Sequence, residues 1–167
     1  MEVGKGKEYG EGVHSREWYM REALKEAEKA YRKAEAPIGA VIVKDDRIIA
    51  RGHNERELKQ DSTLHAEITA VRKACRRLGS WRLNDCDMYV TLEPCAMCAG
   101  ALVQSRLRKV YIGTADPKAG AAGSVINLLE VDRFNHRVEM EYGILEEECS
   151  SILKRFFREL RERKGSC

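Results

Sequence analysis

Two short pieces constrain this chain more than any other feature. His65-Ala66-Glu67 stands at the start of a predicted helix, and Pro94-Cys95-Ala96-Met97-Cys98 stands where an apolar strand run passes into another. Cys95 and Cys98 are three residues apart, so in a helical turn both sulfurs point the same way. The positive end of the helix dipole lowers thiol pKa there and favours thiolates. Thiolates and a neutral imidazole are the ligands zinc prefers, which makes His65, Cys95 and Cys98 the candidate metal ligands. A structural zinc normally closes with four protein ligands. One CxxC pair and one histidine make three, and no second CxxC pair exists to finish a zinc ribbon. Three ligands leave a fourth position for water, which is the catalytic pattern, and water held there loses its proton near neutral pH. Glu67 follows His65 by two residues. In the first turn of a helix it can lean over the open position without binding the metal, and a carboxylate there takes the water proton and passes it to substrate.

Each half of this constellation is weak alone. A CxxC at a strand-to-helix junction is also the thioredoxin arrangement, although that chemistry has no use for His65-Ala66-Glu67. His65 by itself would read as a helix-cap histidine. A structural zinc with another cysteine or His53 as fourth ligand stays open, but such a site needs no poised carboxylate, and Glu67 weighs against it.

The chain has 167 residues, 43% hydrophobic and 34% charged, the balance of one globular domain with a real core. Met1-Glu2-Val3-Gly4-Lys5 lacks the apolar stretch of a signal peptide, and the longest clean apolar run, Ile38 to Val43, is far too short to span a bilayer. A cytoplasmic location with no membrane partner is expected. Six cysteines without an export signal point to metal binding or burial rather than disulfides. The net charge of +3 is uneven: residues 154–164 hold six basic and two acidic side chains, so the rest sums to about −1. A concentrated basic end suits a polyanionic partner, or is a solvated helix face. Phe156 and Phe157 lie within it, placed to stack bases or to dock the helix on the core.

Residues 1–14, rich in Gly and charge, are expected to be a disordered tail ahead of a single domain over 15–165. Ser15 caps a predicted helix reaching about Ala34, with apolar residues at helical spacing and Pro37 beyond its end. Strands are predicted over Ile38–Val43 and Arg47–Gly52, joined by a tight Asp45-Asp46 turn. A polar loop over 53–63 leads to a helix from Leu64 to Leu78, stopped by Gly79. A strand over Met88–Leu92 precedes a helix that has Pro94 in its first turn and runs to Gln104. Then follow a strand over Lys109–Gly113, a Gly/Ala loop, a helical turn at Ser124–Leu129, a strand over Arg137–Glu141 and a helix over Leu145–Arg163. Helices interleaved with strands, after an opening hairpin, imply an α/β fold with a mixed sheet of roughly five strands covered on both faces.

Taken together, H-x-E and P-C-x-x-C resemble the zinc nucleobase deaminases. Pro37-Ile38-Gly39-Ala40-Val41, His65 to Ile68, Tyr89 to Ala101 and Gly120 to Ser124 look like the bacterial tRNA-specific adenosine deaminases. So do Asn135-His136-Arg137-Val138 and Phe156-Phe157-Arg158, and the likeness runs roughly from residue 16 to 160. That resemblance implies a three-layer α/β/α cytidine-deaminase-like fold, one Zn2+ per subunit and a homodimer. It implies conversion of adenosine to inosine at the wobble position of a tRNA anticodon stem-loop. Glu67 would deprotonate the zinc water, protonate N1 of adenine as hydroxide attacks C6, and help ammonia leave. The resemblance also implies substrate contacts at Asn54, at the apolar walls Ile38 and Leu92, at the Ala66 backbone N–H and at Asp116, with Phe157 added from the basic helix. The catalytic motif does not separate this reading from a small-molecule deaminase acting on guanine or cytosine. An RNA-binding module with a structural zinc and no turnover is a further reading, and Glu67 argues against it.

Overall fold

The computed structural model describes residues 14–165. Apart from His14, the expected disordered tail lies outside them. Helix α1 (Arg16–Arg32) is capped by Ser15, whose Oγ accepts from the Trp18 amide at 3.1 Å. The helix stops before Ala34, where the backbone turns left-handed at φ 60. The hairpin of β1 (Gly39–Lys44) and β2 (Arg47–His53) turns at Asp45 and Asp46, both with positive φ, the mirror-image turn that matches strand twist.

The polar loop after β2 contains a feature the residue pattern did not announce, the short helix α2 (Arg56–Lys59). Its cap comes from far away: the buried Glu35 carboxylate accepts from the amides of Glu57 and Leu58. Then come α3 (Ala66–Leu78), β3 (Cys86–Leu92), α4 (Ala96–Gln104), β4 (Lys109–Thr114), β5 (Glu139–Tyr142) and α5 (Glu146–Gly165). Cys95 is the N-cap of α4, so Pro94 lies just before the helix rather than in its first turn. The helical turn expected at Ser124–Leu129 does not form. That segment is a turn closed by a bridge between Ala122 and Asn127, in which the amides of Val125 and Leu128 donate back to Gly120 O and Ala121 O rather than to a carbonyl four residues earlier.

The five strands form one mixed sheet in the order β2-β1-β3-β4-β5. β1 is antiparallel to both neighbours, and β3, β4 and β5 run parallel. Alternation of side chains sends Ala40 and Ile42 of β1 and Met88 and Val90 of β3 into a core with Leu83, Leu102, Leu107 and Ile112, on the α3 and α4 face. Val41, Val43 and Tyr89 point the other way and pack with Tyr19, Met20, Ile144 and Cys149 of the α1 and α5 layer. Each fully buried Leu, Ile or Met contributes roughly 1.5–3 kcal/mol on leaving water. The result is three layers, α/β/α. The C-terminal ends of β2, β3 and β4, the N-terminal end of β1 and the start of α3 all lie at one end of the sheet.

Candidate active site

Two helix N-termini converge at that end. His65 is the N-cap of α3 and Cys95 the N-cap of α4, both with extended backbone, and Cys98 sits one turn into α4. The ligand atoms of the three all lie within 4.8 Å of one another. His65 Nδ1 is 3.7 Å from Cys95 Sγ and 3.6 Å from Cys98 Sγ. Nitrogen and sulfur at zinc bonding distances and a tetrahedral angle lie about 3.6 Å apart, so these two edges fit a zinc ion. Cys98 and Cys95 share a hydrogen bond, which together with His65 holds the Cys95 thiol well below the usual thiol range and pushes Cys98 up. The contact with Cys95 raises His65. A thiolate at a positive helix end beside an imidazole is a soft, anionic donor set suited to a divalent ion.

Glu67 lies in the first turn of α3 and is 4% exposed. Its Oε2 is 3.2 Å from Cys98 Sγ, so the carboxylate sits against the ligand set, and burial pushes its pKa up. The Ala66 amide opens the same helix, where first-turn N–H groups have no carbonyl within the helix.

A cleft of about 670 Å³ opens at the same sheet end. It gathers four of the residues singled out from sequence: Ile38, Leu92, Asp116 and Phe157. Lys118, Lys154, Arg161 and Lys164 also line it. Phe157 is 42% exposed, whereas Phe156 packs edge-on against Tyr31 of α1 and holds the helix in place. Asn54 is buried at the cleft's edge. Its amide nitrogen reaches Ala36 O at 3.5 Å, its Oδ1 accepts from the Arg56 amide, and its own backbone N–H donates to Ile38 O. The Asp116 carboxylate accepts from the Lys118 and Ala119 amides and so shapes its own turn.

One prominent residue carries no assignment from sequence. Glu93, 2% exposed, precedes Pro94-Cys95 and accepts from the amides of Asp116, Ala122 and Ser124 at 2.9–3.1 Å and from the Ser124 hydroxyl. Burial alone would raise its pKa; these donors outweigh it and hold the carboxyl below its ordinary value. Its partners lie more than twenty residues away, and no local pattern reports them.

A three-ligand metal group with a buried carboxylate beside it, on an α/β/α sandwich, is the build of a metal-dependent deaminase. The chain belongs to the MafB19-like deaminase family, whose model matches residues 14–161. It is 56% identical over 148 residues to the tRNA-specific adenosine deaminase of Bacillus subtilis, covering 89% of this chain and 92% of that one. A structure solved in studies of A-to-I editing by tRNA:A34 deaminases at the wobble position of transfer RNA superposes with a TM-score of 0.80 at 44% identity. That match covers 83% of this chain and 100% of the other. The guanine deaminase of Bacillus subtilis superposes less closely, with a TM-score of 0.61 at 34% identity over 89% of this chain and 95% of its own.

Proposed function

We propose that this protein hydrolyses the exocyclic amine of adenosine at the wobble position of a tRNA anticodon, leaving inosine. The observation that carries the reading is the joint placement of the His65, Cys95 and Cys98 ligand set and a cleft with apolar walls and a cationic lining at one sheet end. The likeness to tRNA-specific adenosine deaminases, closer than that to guanine deaminase, supports it. His65, Cys95 and Cys98 would hold one zinc ion, which when bound would supply a water acidified to near neutral pH. Glu67 is the catalytic residue: it takes a proton from the attacking water and delivers it to N1 of the adenine, then takes the remaining proton of the new C6 hydroxyl as the carbonyl forms and gives it to the departing amine, so that ammonia leaves. Ile38 and Leu92 wall the base. The Ala66 N–H donates to its edge, and the Asn54 side-chain amide hydrogen-bonds the nucleotide. Asp116 touches the flanking nucleotides and Phe157 stacks on one of them. Lys118, Lys154, Arg161 and Lys164 neutralise phosphates.

The reading takes residues 15–165 as one domain and places the enzyme in the cytoplasm with its tRNA. Among the described residues no helix is long and apolar enough to cross a membrane. It also takes the working form to be a homodimer. The groove of Gly100, Val103, Leu128 and Phe134 along α4, with Met97 exposed on the same helix, is the apolar face we assign to the second copy. Sedimentation of a monomer at micromolar concentration would overturn that assignment. The function itself is tested by incubation with total tRNA and with an anticodon stem-loop, followed by sequencing for A-to-G changes. Inosine at the wobble position is the expected result. Turnover of free guanine or cytosine with none on RNA would refute it.

A further inference from the structure

We infer that Glu93 is a positioning residue for the substrate: its buried carboxylate clamps the 116–124 segment to the turn that carries Cys95, and so fixes one wall of the cleft relative to the metal end. The inference rests on the function proposed above. An ionised carboxylate out of water costs several kcal/mol unless its oxygens are satisfied. Here both are. Oε1 accepts from the Asp116 amide and the Ser124 hydroxyl, and Oε2 accepts from the Ala122 and Ser124 amides. Such charge-assisted bonds are about twice as strong as neutral ones. They act on a segment that has no helix or strand of its own and is otherwise held by turn bonds such as Gly120 N–H to Asp116 O.

Three further observations place the clamp. The Ala121 amide donates to Pro94 O at 2.8 Å, so the segment is tied to the residue next to Cys95 as well. Tyr142 on β5 donates its hydroxyl to Ala122 O at 2.7 Å, closing the other side. Gly120 makes room for the carboxylate: a Cβ there would fall 2.2–2.4 Å from the Glu93 carboxyl atoms. Any side chain at 120 therefore evicts Glu93 from its seat. The cleft-lining stretch Thr114–Ala119 is held at its start by the Glu93 amide, which donates to Thr114 O, and then by the Glu93 carboxylate on Asp116. Glu93 spends its bonds on the loop and makes none to the ligand set, so its loss moves the cleft wall and spares the proton transfer.

Glu93→Gln keeps the volume but turns an amide NH2 toward backbone donors. Hydrogen exchange, metal content and steady-state kinetics on an anticodon stem-loop, with its binding followed by fluorescence anisotropy, test the clamp. Exchange should rise at the amides of Asp116, Ala122 and Ser124, with the metal retained. Kd and KM should rise about tenfold while kcat stays within about threefold. Gly120→Ala approaches the same carboxylate from the other side and should reproduce the KM effect. The double variant should be little worse than either single, because both break one contact. Unchanged exchange, loss of metal, a fall in kcat at constant KM, or additive losses would each overturn the clamp. A wild-type protein that neither binds nor deaminates the stem-loop would instead refute the functional reading, and the clamp would then stand or fall on the exchange alone.

Discussion

Glu67 and Glu26 show how differently two buried carboxylates are used. Glu67 sits against Cys98 and beside the ligand His65, an arrangement suited to passing protons. Glu67→Ala is expected to keep the fold and the metal while lowering kcat on the stem-loop by at least about 10²-fold, the usual worth of a general acid-base group. Metal analysis beside the activity assay checks it, and retained turnover would mean the proton-transfer role is misassigned. Glu26 on α1 is instead locked. Burial pushes its pKa up, but His53 at 3.3 Å and Lys29 at 2.6 Å outweigh this and bring it down to about 2 from an ordinary 4.5. A folded-state pKa below the unfolded one adds stability above about pH 4.5, and that stability is lost as pH falls toward 2. Glu26→Gln should therefore flatten the acid limb of the stability curve in that window. Urea titrations at stepped pH read this directly, and an unchanged limb would show that other carboxylates govern it.

At the scale of elements, close approach of helix to sheet decides where His65 stands. A Cβ on Gly52 of β2 would lie 2.3 Å from Ala66 O and 2.8 Å from Ala70 N, so α3 rests directly on the strand backbone. Gly52→Ala should push the first turn of α3 outward, costing about 1–3 kcal/mol by overpacking. It should also weaken metal binding, because His65 and Glu67 ride on that turn. Denaturant unfolding and a chelator competition measure the two effects, and a destabilised variant with unchanged metal affinity would show that the ligand turn adjusts independently. A metal ion held by His65, Cys95 and Cys98 would tie the start of α3 to the start of α4. Stripping it with a chelator should lower the Tm, and adding zinc back should restore it.

At the scale of the whole molecule, the fold gathers charge that no single element holds. The cationic residues at the cleft come from the β4 loop and from α5, elements far apart in sequence, and join only in the fold. Replacing Lys154, Arg161 and Lys164 together with Gln should weaken stem-loop binding. It should also lower the slope of log K against log salt by about 2, given roughly 0.7 counterions released per single-strand contact. Anisotropy titrations across salt give that slope. An unchanged slope would remove α5 from the RNA interface.

Much of this was readable in advance because the decisive spacings are short. His65 to Glu67 and Cys95 to Cys98 each fall within one helical turn, so their relative placement follows from local geometry alone. The interleaved helices and strands followed equally from apolar periodicity, and with them a mixed sheet covered on both faces, while the three-layer cytidine-deaminase-like fold came from the family resemblance. The helical turn expected at Ser124–Leu129 gave way to a bridged turn whose amides reach back to Gly120 and Ala121, and α2 is capped by Glu35 from across a loop. Side-chain partners across such distances depend on which strands lie side by side, and that order appears nowhere in a local pattern. The sequence by itself determined the group of His65, Cys95 and Cys98 and the carboxylate beside it. Only the tertiary structure decided what lies at the same end of the sheet: the cleft assembled from β-strand ends and α5, and the buried Glu93 that ties its wall to the turn of Cys95.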